Sequence, residues 1–126
     1  MDVDERTRTG FLQAVRETDP AQLLAPGGAR LRLHRDRRWE AHWAPFEPLN
    51  QQAEIVLVGT TPGYEQALDA LQALRAGLLR GMSASNAMVL GKTAGAFSGE
   101  IRRPLEAMLD FLAVPQRMGL SNAASL

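Results

Sequence analysis

A chain of 126 residues is long enough for one domain with a real core and short for a complete α/β enzyme. Its 14 basic side chains match 14 acidic ones, which disfavours indiscriminate polyanion binding but leaves room for a local basic patch. The lack of cysteine excludes disulfides, thiolate nucleophiles and cysteine-ligated metals. No apolar stretch is long enough for a signal peptide after Met1-Asp2-Val3-Asp4-Glu5-Arg6 or for a bilayer span, so a soluble, cytoplasmic chain is expected.

Residues 4–18 predict a helix with a narrow apolar stripe of Phe11, Leu12 and Val15. Asp19-Pro20 has the order of an N-cap followed by proline at the first helical position, opening a short turn that Pro26-Gly27-Gly28 ends. Leu31 and Leu33 alternate with Arg30, Arg32 and His34, the period of a strand with one polar face. The prolines of Trp43-Ala44-Pro45-Phe46-Glu47-Pro48 oppose regular structure. The β-branched run Ile55 to Val58 then predicts a buried strand, running into Gly59-Thr60-Thr61-Pro62-Gly63. From Tyr64 to about Arg80, Leu68, Leu71, Leu74 and Leu78 fall at helical spacing. Gly81 to Gly99 looks looser because of its internal glycines. The last helix places Ile101, Leu105, Met108, Leu109 and Leu112 on one face, with Pro104 in its first turn, and stops before Pro115.

A strand, a Gly/Pro-constrained loop and a helix is the place where open α/β sheets collect ligands, outside the carboxyl ends of their strands. The alternative is a tight strand-to-helix turn with no ligand. Only two strands are credible, fewer than a stable α/β sheet needs, and Ser121 to Leu126 resembles the approach to a further element. The expectation is therefore either a truncated chain or one that borrows strands from a partner.

The loop Gly59-Thr60-Thr61-Pro62-Gly63 resembles the first motif of the uracil-DNA glycosylase superfamily: glycine, two variable residues, proline, then glycine or tyrosine. Gln66 recurs in some branches. Ala44-Pro45-Phe46-Glu47 resembles the proline-aromatic approach segment, Ala96-Phe97-Ser98 the segment holding the aromatic that stacks on an extruded base, and Gly99 through Asp110 the helix that follows. The resemblance covers roughly residues 40–115. It implies a three-layer αβα sandwich, incomplete at its carboxyl end, with residues 1–126 forming a single partial domain of that type.

The resemblance also implies base recognition in DNA. Glycosylases extrude a nucleotide and identify its base by stacking and edge hydrogen bonds. On that basis Gly59, Thr60, Pro62 and Gly63 line the base site and Phe97 supplies its aromatic wall. Thr61 stands where many members carry aspartate or asparagine, and Thr60 where others carry an acid. Neither hydroxyl is ionised at neutral pH, so neither is a competent general base. Glu65 and Asp69 are the nearest carboxylates and could substitute for the missing acid, although their ordinary role is as a helix-dipole pair. The second family motif, a histidine- or asparagine-bearing loop, is absent. Thr61 and Glu65 are thus the candidate catalytic pair, with N-glycosidic hydrolysis expected only in a longer or assembled form. A noncatalytic nucleotide- or protein-binding module of the same ancestry is the second reading, and a nucleotide-phosphate enzyme the third.

Arg30, Arg32, Arg35, Arg37 and Arg38 sit beside Trp39, His42 and Trp43. Basic groups interleaved with aromatics suit phosphates and stacked bases, which makes Arg35, Arg37 and Arg38 candidate DNA contacts. The competing account is a solvated strand face with both tryptophans in the core. Two histidines are too few for a histidine metal site, so no metal is expected. Gly91-Lys92-Thr93 lacks the upstream glycine of a phosphate-binding loop, and the flanks of Gly91, Gly95 and Gly99 are too polar for membrane helix packing. No cofactor is expected. The expected partners are single-stranded or base-extruded DNA, a second copy, or a missing carboxyl-terminal half.

Overall fold

In the computed structural model, which describes residues 3–125, a helix α1 runs from Glu5 to Glu17. Asp4 caps it, its carboxylate accepting from the Thr7 backbone N–H at 3.0 Å, one of the orphan donors of a first helical turn. Phe11, Ala14 and Val15 form its buried face. Asp19 and Pro20 open α2, Pro20–Leu23, as their order predicts, with the Asp19 carboxylate accepting from Ala21 N–H. Expectations that involve Met1, Asp2 and Leu126 lie outside the described residues.

Two short strands follow, β1 Arg32–Arg35 and β2 Glu40–His42, paired antiparallel. His34 faces Ala41 and Arg35 faces Glu40, and an irregularity between Arg32 and His34 leaves Leu33 extra. The Trp43 N–H donates to Leu31 C=O at 2.7 Å just beyond the ladder. The Trp43 ring then stacks on Phe11, centroids 5.3 Å apart, and joins α1 to the hairpin.

The predicted long helix is present as α3, Tyr64–Leu79, with Leu71 and Leu74 fully buried. The segment read as loose is instead a second helix, α4, Ala84–Gly95, capped by Ser83 through the Asn86 N–H. Its glycines are contact points rather than breaks. A Cβ on Gly95 would lie 2.5 Å from Gln66 C=O and 2.6 Å from Ala70 Cβ of α3. One on Gly91 would lie 2.8 Å from Ala70 C=O and 2.9 Å from Pro45 Cγ. Gly77 of α3 reciprocates, its missing Cβ 3.1 Å from Ala87 of α4. Two helix backbones thus approach over three glycines, and Pro45 drops into the space left at Gly91.

The expected three-layer αβα sandwich is not what this chain forms. The described residues are mostly helical, with a two-stranded antiparallel hairpin and no parallel sheet. Residues 54–58, expected as a buried strand, have no regular structure, and Val56 and Val58 are 74% and 88% exposed. The physical reason is pairing: strand propensity describes a fit to a half-buried pleated surface, and among the described residues no second strand lies beside this one. Among the described residues no backbone hydrogen bond joins 54–62 to another element.

The described residues divide into two compact units between Ala96 and Phe97. The second contains a 3₁₀ turn, Gly99–Ile101, leading into α5, Arg102–Phe111. Ala113, at φ 53°, turns the chain into α6, Val114–Arg117, and the Asp110 carboxylate accepts from Ala123 N–H at 2.7 Å. The helix is where its periodicity predicts, but its stripe is not wholly covered: Leu109 is buried and Leu105 half-buried, whereas Ile101, Met108 and Leu112 are exposed, as is Phe111 beside the stripe. Among the described residues no helix is long and apolar enough to cross a membrane.

The glycine contacts generate a paired test. Gly95→Ala should destabilise the first unit by about 1–3 kcal/mol, the cost of overpacking. Gly10→Ala, on an exposed face of α1 with nothing within 4 Å of the new Cβ, should stabilise it by about 0.5–1 kcal/mol. Urea midpoints measure both. Equal effects of the two substitutions would contradict the close approach.

Candidate functional site

The loop Gly59-Thr60-Thr61-Pro62-Gly63 is exposed and enters α3 directly. Gly63 is the N-cap of that helix, and its N–H donates to the Gln66 side chain at 3.2 Å, so Gln66 has a local structural role. Gly63 has φ −75° and nothing near its missing Cβ, so this position does not require glycine for conformation or space. The Thr61 hydroxyl donates to Pro62 C=O at 3.1 Å. Thr60 is exposed, as is Glu65 in the first turn of α3, while Asp69 one turn on is half-buried. The loop therefore gathers two hydroxyls and the Glu65 carboxylate at a helix start, open to solvent.

The approach segment Ala44-Pro45-Phe46-Glu47 is bound into the core. Pro45 is fully buried, and Glu47 accepts from the Trp43 indole N–H through Oε1 and from Arg8 through Oε2 at 2.9 Å. Lys92 of α4 donates to Pro48 C=O. An open groove of about 390 Å³ lies alongside, lined by Arg8, Leu12, Glu47, Pro48, Ala84, Ser85 and Met88. The sequence does not signal it, because the glycines between residues 81 and 99 disguise α4.

In the second unit, Phe97 is half-buried and adopts φ 51°. Left-handed backbone is unusual for a bulky L-residue and stores about 1–2 kcal/mol. The next residue, Ser98, is 7% exposed, and its Oγ has no hydrogen-bond partner in the structure. An aromatic ring held in strained backbone beside a buried, unsatisfied hydroxyl departs from the ordinary rule that buried polar groups are bonded.

The arginine cluster separates into two groups. Arg30 is paired with Glu17 at 2.7 Å and Arg32 with Glu40 at 2.8 Å. Arg35, Arg37 and Arg38 are exposed at the hairpin tip with no carboxylate in ion-pair contact among the described residues. Arg35 only pulls electrostatically on Glu40, its partner across the strands. The tryptophans also separate: Trp43 is 2% exposed and Trp39 73%. Asp36 N–H donates to Trp39 C=O at 2.9 Å, closing a tight turn with Arg37 and Arg38 at its centre. The Asp36 carboxylate accepts from the N–H groups of Arg38 and Trp39, each at 2.7 Å. Among the described residues no group of three or more His, Cys, Asp or Glu is placed to hold a metal ion.

The Arg38 and Trp39 backbone hydrogen bonds hold the Asp36 carboxyl below its ordinary value of 3.8. Aspartate with a depressed folded pKa stabilises the turn fully above the unfolded value and loses that contribution as pH falls through the lower folded one. The Arg38 and Trp39 amide resonances should therefore hold steady down to about pH 4 and move together below it. Asp36→Ala should produce the shifted positions already at neutral pH. Independent movement of these amides with pH would contradict the shared carboxylate.

No described protein family matches the chain, and no solved structure does. The chain is 35% identical over 96 residues to the uncharacterized protein YoxB of Bacillus subtilis (strain 168), an alignment that covers 75% of this chain but 38% of the relative. The chain thus spans less than two fifths of the length of the relative it matches.

Proposed function

We propose that this protein recognises a base in DNA, with hydrolysis of the N-glycosidic bond confined to a longer or assembled form. The observation that carries the reading is the pair Phe97 and Ser98. A ring kept in left-handed backbone offers a face to stack on, and the Ser98 hydroxyl beside it, buried and without a partner, reaches a base edge only once that segment opens. The likeness of Gly59-Thr60-Thr61-Pro62-Gly63 to the first motif of the uracil-DNA glycosylase superfamily supports the same reading. It rests on local motifs and not on a sandwich architecture, which this chain does not form.

Phe97→Ala should weaken binding to single-stranded or mismatched DNA by about 1–3 kcal/mol, the range for a base-aromatic contact. Phe97→Gly should do the same while relieving the backbone, so its stability should match or exceed that of the parent. Loss of stability of about 3–5 kcal/mol in both variants with unchanged binding would make Phe97 a core residue and remove the proposal's support.

Catalysis follows a different expectation. Thr61 and Thr60 occupy the positions that supply an acid or amide in the resembling family, and a threonine hydroxyl cannot activate water at neutral pH. The 126-residue chain should release no measurable uracil from DNA, and Thr61→Asp should rescue it little. Robust release by the unmodified chain would reverse this and point to Glu65.

Two apolar surfaces favour assembly: the exposed run Ile55 to Val58, and the exposed Ile101, Met108, Phe111 and Leu112 around α5. An exposed segment of this strand-forming composition can pair with a strand of another chain. Sedimentation should show self-association, and Val56→Lys with Val58→Lys should reduce it. A stable monomer at all concentrations would overturn this part of the reading.

A further inference from the structure

The β1–β2 hairpin tip carries a second, separate set of observations. Arg30 and Arg32 are neutralised within the fold by Glu17 and Glu40, but Arg35, Arg37 and Arg38 are left exposed without ion pairs among the described residues. The tip's acid, Asp36, accepts from the Arg38 and Trp39 N–H groups through Oδ1, and its Oδ2 lies 3.5 Å from His34 Nε2, so it shapes the turn without pairing with an arginine side chain. Trp39, the last residue of that turn, is 73% exposed, although Trp43 four residues on shows that the fold can bury an indole.

From this arrangement we infer that the hairpin tip is a single-stranded DNA contact in which Trp39 stacks on an unpaired base and Arg35, Arg37 and Arg38 meet the phosphates. Three exposed cations and an exposed indole at one hairpin tip complement a strand whose backbone is anionic and whose bases present π-faces. A duplex would satisfy the arginines but hide its base faces in the stack. An acidic protein segment would satisfy the arginines and leave the indole unused. The inference deepens the proposed DNA recognition, on which it rests, by adding Trp39 and specifying unpaired strand as the ligand.

The experiment compares two labelled probes of equal length and charge, an oligothymidylate and an oligomer of abasic sites, by fluorescence anisotropy on the 126-residue chain. The parent should prefer oligothymidylate by about fivefold to a hundredfold, the range for one stacked base. Trp39→Ala should abolish the preference, with Trp39→Phe restoring part of it; far-UV circular dichroism checks that both variants are folded. Arg37→Ser with Arg38→Ser should weaken both probes and lower the salt slope by about 1.4, two single-strand phosphates at about 0.7 each. Retention of the preference in Trp39→Ala overturns the hairpin contact, and the base-recognition reading then stands or falls on Phe97→Ala alone. Loss of preference in Trp39→Ala with none in Phe97→Ala supports the hairpin and counts against Phe97. Failure of the parent to bind either probe overturns both, and equal binding of the two overturns the stacking contact.

Discussion

The close approach of α3 and α4 is the constraint on which the first unit depends. Gly77, Gly91 and Gly95 remove the side chains that would hold the two backbones apart, and the facing atoms of Gln66, Ala70 and Ala87 fill that space. Protein interiors are packed too densely to accept a methyl group without movement, so these positions are fixed by neighbours rather than by backbone angles. The consequence extends beyond the helix pair. Pro45 reaches Gly91, Lys92 holds Pro48 C=O, and Leu71 and Leu74 present their side chains to the core that includes Phe11, Val15 and Trp43. The arrangement therefore places the Trp43–Glu47–Arg8 chain of contacts and, through Trp43, the base of the hairpin.

The segment between that core and α3 shows the opposite condition. Every residue from 51 to 65 is exposed, and the apolar side chains of Ile55 to Val58 are among them. Backbone groups outside secondary structure are satisfied by water, which is affordable on a surface, but four consecutive apolar side chains on that surface are not ordinary. The motif loop inherits this setting. Its glycines and proline are held by α3 at one end only, through the Gly63 N-cap.

The hairpin tip and the Phe97–Ser98 pair lie in different units, and each has its own physical signature. At the tip, charge is sorted: inner arginines are paired and outer ones are not. At Phe97 the signature is strain beside an unsatisfied hydroxyl, which selection retains more readily at a recognition surface than in a core. Neither depends on a parallel sheet. Base recognition therefore remains a coherent proposal after the sandwich architecture has been set aside.

Local chemistry was legible from the residues. Asp19 caps a helix where its order indicates, Pro20 starts α2, and the leucine spacing of 68 to 78 accompanies an α3 that matches its expected bounds to within a residue at either end. These features are decided within one or two turns of chain, so the sequence alone contains them. What it could not contain was partnership. Ile55 to Val58 has the composition of a strand, yet a strand exists only against another, and among the described residues none lies beside it. Gly91 and Gly95 have the composition of a break, yet against Ala70 and Gln66 they are what lets α4 pack as a helix. Trp39 and Trp43 are indistinguishable by local pattern. The tertiary structure separated them by giving Trp43 the Phe11 ring and the Glu47 carboxylate, and leaving Trp39 at a turn whose only acid was already engaged. Propensity and capping are properties of a segment, whereas burial, pairing and free charge are properties of what the rest of the chain brings to it.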